Sequence, residues 1–271
     1  MRGTSAASLD AVTVGFAPVL RAAGTEASAL GAELFSVVDA LDSAGSLRRA
    51  LSDPARSGAD KAGLVRHLLS ATADPRTVAV VADLATARWS CEEDLVVGLE
   101  TLAADAVLAA AEAAGELEQV EDQLFRLDRV LVGQRDLRRA VTNLSATAER
   151  RERLVHTLLD GTVLPATVQL VARGARAPRG RTMSTMLSLM GRLAARRRHR
   201  LVAAVTAAAP LSAEQSTRLA ALLERTHGRP VQLNVAIDPD MIGGLRVQVG
   251  PEVVDSTVLG RLDDARRLLA G

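Results

Sequence analysis

Apolar residues recur at helical spacing through the first two thirds of the chain. Leu34, Val37, Val38 and Leu41 fall on one face, and Leu64, Val65, Leu68 and Leu69 on another. Asp53-Pro54 and Ser57-Gly58 break the pattern between them, and Asp74-Pro75 predicts a new helix with proline in its first turn. The pattern then returns. "SLRRALSDPARSGADKAGLVRHLLS" (Ser46–Ser70) aligns without a gap with "DLRRAVTNLSATAERRERLVHTLLD" (Asp136–Asp160). Leu47-Arg48-Arg49-Ala50 meets Leu137-Arg138-Arg139-Ala140, and Leu64-Val65 meets Leu154-Val155. The register reaches upstream to Leu34-Phe35 against Leu124-Phe125, and downstream to Pro75-x-Thr77-Val78 against Pro165-x-Thr167-Val168. One offset of 90 residues throughout predicts a tandem duplication, with copies over residues 1–90 and 91–180. Solenoid units are shorter and more numerous than this. A long helical segment near Glu92–Leu117 can close the first bundle and open the second.

The last third, residues 181–271, has a different pattern. Met183, Met186, Leu187, Met190 and Leu193 form one stripe of a helix, and "LVAAVTAAAP" from Leu201 reads as a strand. The next helix has Ser212 at its cap, Gln215 three residues on, Gly228 at its end and Pro230 beyond. Strands follow at Val231–Ile237 and Leu245–Val249. A final helix is predicted from about Ser256, with Val258, Leu259, Leu262, Ala265, Leu268 and Leu269 inward. The expected architecture is mainly α: two tandem helical bundles followed by a small β-α-β-β-α domain of the α+β class.

Composition adds limits. The 33 Lys+Arg and 32 Asp+Glu give a net charge of +1, so no long-range field draws the chain to nucleic acid or anionic lipid. Lys61 is the sole lysine. Three phenylalanines, one tryptophan and no tyrosine leave Leu, Val and Ala to build the core, which suits close-packed helices. A single cysteine, Cys91, excludes an internal disulfide framework and fits a reducing compartment. The N-terminal stretch has no continuous apolar region or small-residue cleavage site. No run approaches the length of uninterrupted apolar residues needed to span a membrane.

Candidate chemistry is sparse. Gly243-Gly244 lead into a strand instead of a helix, so they read as backbone positions needing positive φ, not as a phosphate cradle. His67, His156, His199 and His227 form no metal-ligand spacing, and the two copies share no histidine. Glu92-Glu93 and Asp263-Asp264 lie at helix starts or exposed faces, with no second carboxylate placed across a cleft. The basic run Arg192–Arg200 lacks interleaved aromatics and reads first as the polar face of a helix. A nucleic-acid-binding regulator using that run is the alternative reading. No catalytic residue, cofactor or metal is expected.

The C-terminal stretch resembles the delta subunit of bacterial F-type ATP synthase, the counterpart of the mitochondrial oligomycin-sensitivity-conferring protein. The resemblance rests on "VTAAAPLS", on the closing "VVDSTV", and on Val231, Leu233, Ile237, Asp238, Met241, Gly243, Gly244, Leu245, Val247, Gln248, Gly250 and Asp255. Ser256 stands where the family usually has glycine, and the usual member has one helical bundle where this chain has two. Long versions of this kind resemble those of high-GC Gram-positive bacteria. The resemblance implies a non-catalytic stator subunit joining the catalytic head to the peripheral stalk. The bundles would receive N-terminal helices of alpha subunits, and the C-terminal domain would hold a b-type stalk. It also implies a place at the cytoplasmic face of the plasma membrane, reached only through the complex, and no homo-oligomer.

Overall fold

The computed structural model describes residues 3–198, 201–227, 231–238, 241, 243–249 and 252–255 of the chain. The first compact unit, ending at Arg198, is helical throughout. It begins with α1 (Thr4–Ala23) and a short 3-10 turn at Gly24–Glu26. Then come α2 (Ala27–Ser43), α3 (Gly45–Ser52), α4 (Gly58–Leu69) and α5 (Pro75–Thr86). A 22-residue helix, α6 (Glu92–Ala113), leads into α7 (Leu117–Gly133), α8 (Arg135–Thr142), α9 (Ala148–Leu159), α10 (Pro165–Arg176) and α11 (Met183–Arg198).

The duplication is visible in the element bounds. Helices α2 to α5 have 17, 8, 12 and 12 residues, and so do α7 to α10. Each of the second set starts 90 residues after its counterpart: Ala27 and Leu117, Gly45 and Arg135, Gly58 and Ala148, Pro75 and Pro165. The same local chemistry repeats as well. Ser57 Oγ accepts the Asp60 N–H at 3.1 Å, and Thr147 Oγ1 accepts the Arg150 N–H at 3.3 Å, each capping the helix that follows. Pro75 and Pro165 both lie in the first turn, where the missing N–H costs nothing. Lys61 and Arg151 occupy matching buried positions, and the Arg151 guanidinium donates to the Ala175 carbonyl at 2.7 Å and the Arg176 carbonyl at 2.9 Å, closing the end of α10.

Helix α6 is shared by the copies and runs through one continuous apolar core. Leu102, Ala103, Ala104, Ala106, Val107 and Leu108 are wholly shielded. Alanines let neighbouring backbones approach, and α2 comes closest at Gly31. A Cβ added there would lie 2.7 Å from Val107 Cγ2 and 2.9 Å from the Ala103 carbonyl oxygen. As α2 packs along α6, so α7 packs along α11. Met183, Met186, Leu187, Met190 and Leu193 bury the stripe of α11 in that helical core. The helical unit therefore ends at Arg198 and not near residue 181, because a bundle copy is incomplete without its closing helix. The two copies meet in one core instead of forming separate domains.

The stretch Thr4–Ser43, covering α1 and α2, has the length and mean hydropathy (1.2) of a membrane-crossing helix. Asp10, Glu26, Glu33 and Asp39 interrupt it, and α2 is a core helix of the bundle.

The second unit, residues 199–271, is a mixed sheet with a helix. Strand β1 (Leu201–Ala207) leads to α12 (Ala213–His227), then β2 (Val231–Ile237), β3 (Leu245–Val249) and β4 (Glu252–Asp255). Sheet order is β2-β1-β3-β4. The α12 crossover makes β1 and β2 parallel, while β3 runs antiparallel to both β1 and β4. A capping box starts α12: Ser212 Oγ accepts the Gln215 N–H at 3.1 Å, and Gln215 Oε1 accepts the Ser212 N–H at 2.8 Å. The core is small: Ala203, Val205, Leu223, Val247 and Val249 are buried, with Leu211, Leu219, Val231, Leu233 and Leu245 packed against them. Strand β4 is an addition to the elements expected from the sequence. The expected final helix from Ser256 lies outside the described residues, as do Gly228, Pro230 and the Asp263-Asp264 pair.

Candidate functional site

The residues with potential for chemistry lie apart. His67 and His156 are exposed on α4 and α9, and His227 is half-buried at the end of α12. The His156 Nδ1 lies 3.1 Å from Asp160, the C-cap residue of the same helix. His199 lies outside the described residues. Among the described residues no group of three or more His, Cys, Asp or Glu is placed to hold a metal ion. Cys91 is exposed at the N-cap of α6. Glu92, Glu93 and Asp94 fill the first turn of that helix, where acidic side chains complement its dipole, and Glu92 accepts the Arg48 Nε–H at 3.1 Å.

The basic run of α11 is not one exposed patch. Arg197 is buried and donates to Asp105 at 2.7 Å and Glu112 at 2.6 Å, both on α6. Burial alone would lower its pKa, but these carboxylates hold it above its ordinary value. Arg198 pairs with Glu118 at 3.4 Å and Glu121 at 3.2 Å. Arg192 and Arg196 are exposed. Two of the arginines thus work within the helical unit, which removes the continuous cationic surface that the nucleic-acid reading needs.

A larger ionic cluster ties the copies together. Glu100 of α6 is 2% exposed and faces three arginines of the second copy: Arg181 at 2.9 Å, Arg179 at 3.5 Å and Arg173 at 3.6 Å. From the first copy, Asp39 pairs with Arg173 at 2.5 Å and with Arg176 at 3.0 Å, and Asp42 pairs with Arg179. Arg176 also reaches Glu152 at 2.7 Å, and these two partners raise its pKa. Desolvation lowers the pKa of Arg179. Arg173 also stacks over Phe35, 5.0 Å from the ring centre. The sequence pattern did not single out this cluster, because its members break the repeat: Asp39 corresponds to Arg129, and Arg173 to Asp83. A contact made once between two copies must use residues in which the copies differ. Those mismatches are the signal by which it could have been found.

Two surfaces in the helical unit are suited to partners. The outward face of α1 exposes Ala7, Ala11, Val14, Gly15, Pro18 and Ala22, with Val14 60% exposed. That is an apolar helix face without a neighbour among the described residues. Its counterparts on α6 include Ala104, Asp105 and Leu108, all buried. The second surface is a groove of about 580 Å³ between α7 and α11, with Leu187 in its floor and Phe125 on its rim.

The residues on which the resemblance rests lie in the sheet unit. Val231, Leu233 and Ile237 belong to β2, and Leu245, Val247 and Gln248 to β3. Val247 is buried, Val231, Leu233 and Leu245 are partly so, and Ile237 and Gln248 are exposed. The Asp238 N–H donates to Ala207 at the end of β1, and the Met241 N–H to the Asp238 carbonyl. Gly243 and Gly244 have φ of 131° and 93°, values that L side chains rarely adopt. Asp255 closes β4, and Gly250 lies outside the described residues.

Comparison with known proteins decides the family. The family model described as ATP synthase delta (OSCP) subunit matches residues 103–269. Across its full length the chain is 53% identical to the ATP synthase subunit delta of Beutenbergia cavernae, covering 100% of both proteins. The chain belongs to the ATP synthase delta (OSCP) subunit family. It is 44% identical to the subunit delta of Thermobifida fusca, again over 100% of each, and 42% identical to that of Streptomyces coelicolor, over 100% of this chain and 98% of the other. A chain of the Toxoplasma gondii mitochondrial ATP synthase shares 22% identity with a TM-score of 0.27, over 62% of this chain and 95% of its own length. As a family member the chain is a stator subunit of the F-type ATP synthase, a membrane-associated complex. The family model starts inside α6, so the second copy and the sheet unit align with it, and the first copy is the additional part. The Beutenbergia, Thermobifida and Streptomyces relatives match this chain along that additional part too.

Proposed function

We propose that this delta-family chain is the non-catalytic joint of the stator, holding N-terminal helices of alpha subunits on its helical unit and a b-type stalk on its sheet unit. The observation that carries the first contact is the apolar outward face of α1, from Ala7 to Ala22. An amphipathic helix laid along it would bury Val14 and Pro18 and leave polar groups in water. In the second copy the middle of the corresponding face, at Ala104, Asp105 and Leu108 of α6, is filled by the unit's own core. The additional first copy thus restores a free first helix that the duplication covered. The sheet unit offers the signature residues as a scaffold, with the positive-φ glycines setting the turn into β3 and Ile237 exposed on β2. The joint would lie at the cytoplasmic face of the plasma membrane, attached through the complex, with no cofactor and no catalytic step of its own.

The test is a titration of the full chain with a synthetic alpha-subunit N-terminal peptide and, separately, with a C-terminal fragment of the b-type subunit. Nanomolar affinity, about −12 kcal/mol, is the scale a durable joint needs. Val14→Asp, at an exposed position, should weaken the peptide at least ~10-fold and leave the b fragment unaffected. A chain that ignores both ligands would refute the reading.

A further inference from the structure

The 90-residue repeat allows the charge around one turn of each copy to be compared position by position. In the first copy the turn between α3 and α4 is close to neutral. Arg48 pairs with Glu92 and Arg56 with Asp53, while Arg49 and Asp60 offset each other in sign. In the second copy the matching positions, between α8 and α9, have changed together. Gly45 corresponds to Arg135, Asp60 to Arg150, Gly63 to Arg153 and Asp53 to Asn143. Arg135, Arg138, Arg139, Arg150 and Arg153 are all exposed, and none has an acidic partner among the described residues. Glu149 and Glu152, the carboxylates gained on α9, both pair with Arg176, at 3.6 and 2.7 Å. That leaves Asp136 as the exposed carboxylate on α8.

The turn itself presents an apolar tip. Leu144, at the position of Pro54, is 73% exposed, more than any other large apolar side chain among the described residues. Hydrogen bonds brace the backbone that carries it. Asn143 Oδ1 accepts the Ser145 N–H at 3.0 Å, and the Asn143 carbonyl accepts the Ala146 N–H at 3.0 Å. The buried Arg151 guanidinium donates to the Asn143 and Ala146 carbonyls. These bonds fix the turn and keep Leu144 off the bundle. Only residues 143–147 separate α8 from α9. The end of α8, with Arg138 and Arg139, and the start of α9, with Arg150 and Arg153, therefore converge on the tip.

An apolar tip flanked by unpaired cations suits a membrane surface, where the apolar group meets the acyl boundary and the cations stay with the phosphates. We propose that this end of the second copy is a contact for an anionic lipid surface. Leu144 enters the headgroup layer and the five arginines bond lipid phosphates, giving the chain a hold of its own on the bilayer before assembly. Charge complementarity selects an anionic partner, and the tip selects a fluid one. A folded acidic protein would need a pocket shaped for Leu144, whereas a lipid layer yields to it. The net charge of +1 does not oppose this contact. The potential of an anionic membrane decays within a Debye length, about 10 Å at 0.1 M salt, so the bilayer meets the charge of the nearest face and not the chain's total. The inference goes beyond the stator joint and uses neither the α1 face nor the sheet unit.

The experiment floats the purified full chain, free of other subunits, on vesicles of phosphatidylcholine alone and of phosphatidylcholine with an equal part of phosphatidylglycerol. Binding to the anionic vesicles should be at least ~10-fold tighter, and most of that gain should vanish at about 0.5 M salt. Arg139→Glu should weaken it ~10-fold. Arg49→Glu, the same charge reversal at the matching exposed position of the first copy, should leave it unchanged. Circular dichroism melts of both variants should match the parent chain, since both side chains are exposed. A Cys91→Ser, Leu144→Cys chain labelled with an environment-sensitive dye should show a blue shift on the anionic vesicles, and no shift would overturn the proposal. Equal binding to the two kinds of vesicle, or none to either, would overturn it as well. So would equal losses from Arg49→Glu and Arg139→Glu, which would assign the attraction to overall charge. Salt-sensitive binding to polyglutamate with none to vesicles would overturn it in favour of an acidic protein.

Discussion

At the scale of single residues, two positions show how much local chemistry rests on geometry that the sequence only hints at. Asp74 caps α5, accepting the Arg76 N–H at 2.8 Å and pairing with the Arg76 guanidinium at 2.8 and 3.0 Å. Those bonds hold its carboxyl below the ordinary carboxylate range. Because the folded value is depressed, the stabilisation is present above the unfolded value of ~3.9 and is lost as pH falls through the folded one. Asp74→Ala should cost about 1 kcal/mol in urea denaturation at pH 7, and the gap from the parent chain should narrow below pH 4. Gly31 is the other position. Its Cβ would meet the Ala103 carbonyl, which cannot move aside as a flexible side chain can. Gly31→Ala should therefore lower stability by about 1–3 kcal/mol, read as a shifted denaturant midpoint with unchanged m-value.

Helix α6 determines most at the scale of elements. As the last helix of one copy and the first of the next, it has no face left for solvent over Leu102–Ala111, and it holds Glu100 and Asp105 among the leucines. Each carboxylate is matched by arginine from the second copy, so each pair is a staple between copies as well as a buried charge pair. Glu100→Ala should be strongly destabilising, about 3–5 kcal/mol, because Arg173 would lose a partner at a side chain that is only 3% exposed. Arg173→Met in that background should cost less than it does alone. A double-mutant cycle on thermal or urea unfolding measures the difference, and additive costs would show that the two side chains do not act together.

The whole molecule was partly legible from its pattern. Fixed 90-residue spacing placed the helices of both copies, since helix bounds follow from local caps, prolines and the 3.6-residue period. It misplaced the end of the helical unit, because periodicity shows that α11 has an apolar stripe but not what that stripe packs against. Residues 1–90 alone should not fold, since their core includes α6. Residues 1–198 should fold and unfold in one cooperative transition, because both copies share one cluster of buried residues. Coincident circular dichroism and tryptophan fluorescence of Trp89 on the 1–198 fragment would check this, and two separated transitions would contradict it.

By itself the sequence determined the duplication, the mainly α architecture with its C-terminal sheet, and the resemblance to the family, which was read from residues such as Ile237, Gly243 and Gly244. All of these are recorded in local order and period. Only the tertiary structure decided which apolar residues are core and which are surface. Phe35 and Phe125 occupy the same position in two copies of one sequence pattern, yet one lies under α10 and the other faces water. Burial depends on what packs across a face, and within the helical unit the α2–α6 groove has a neighbour while the α7–α11 groove has none among the described residues.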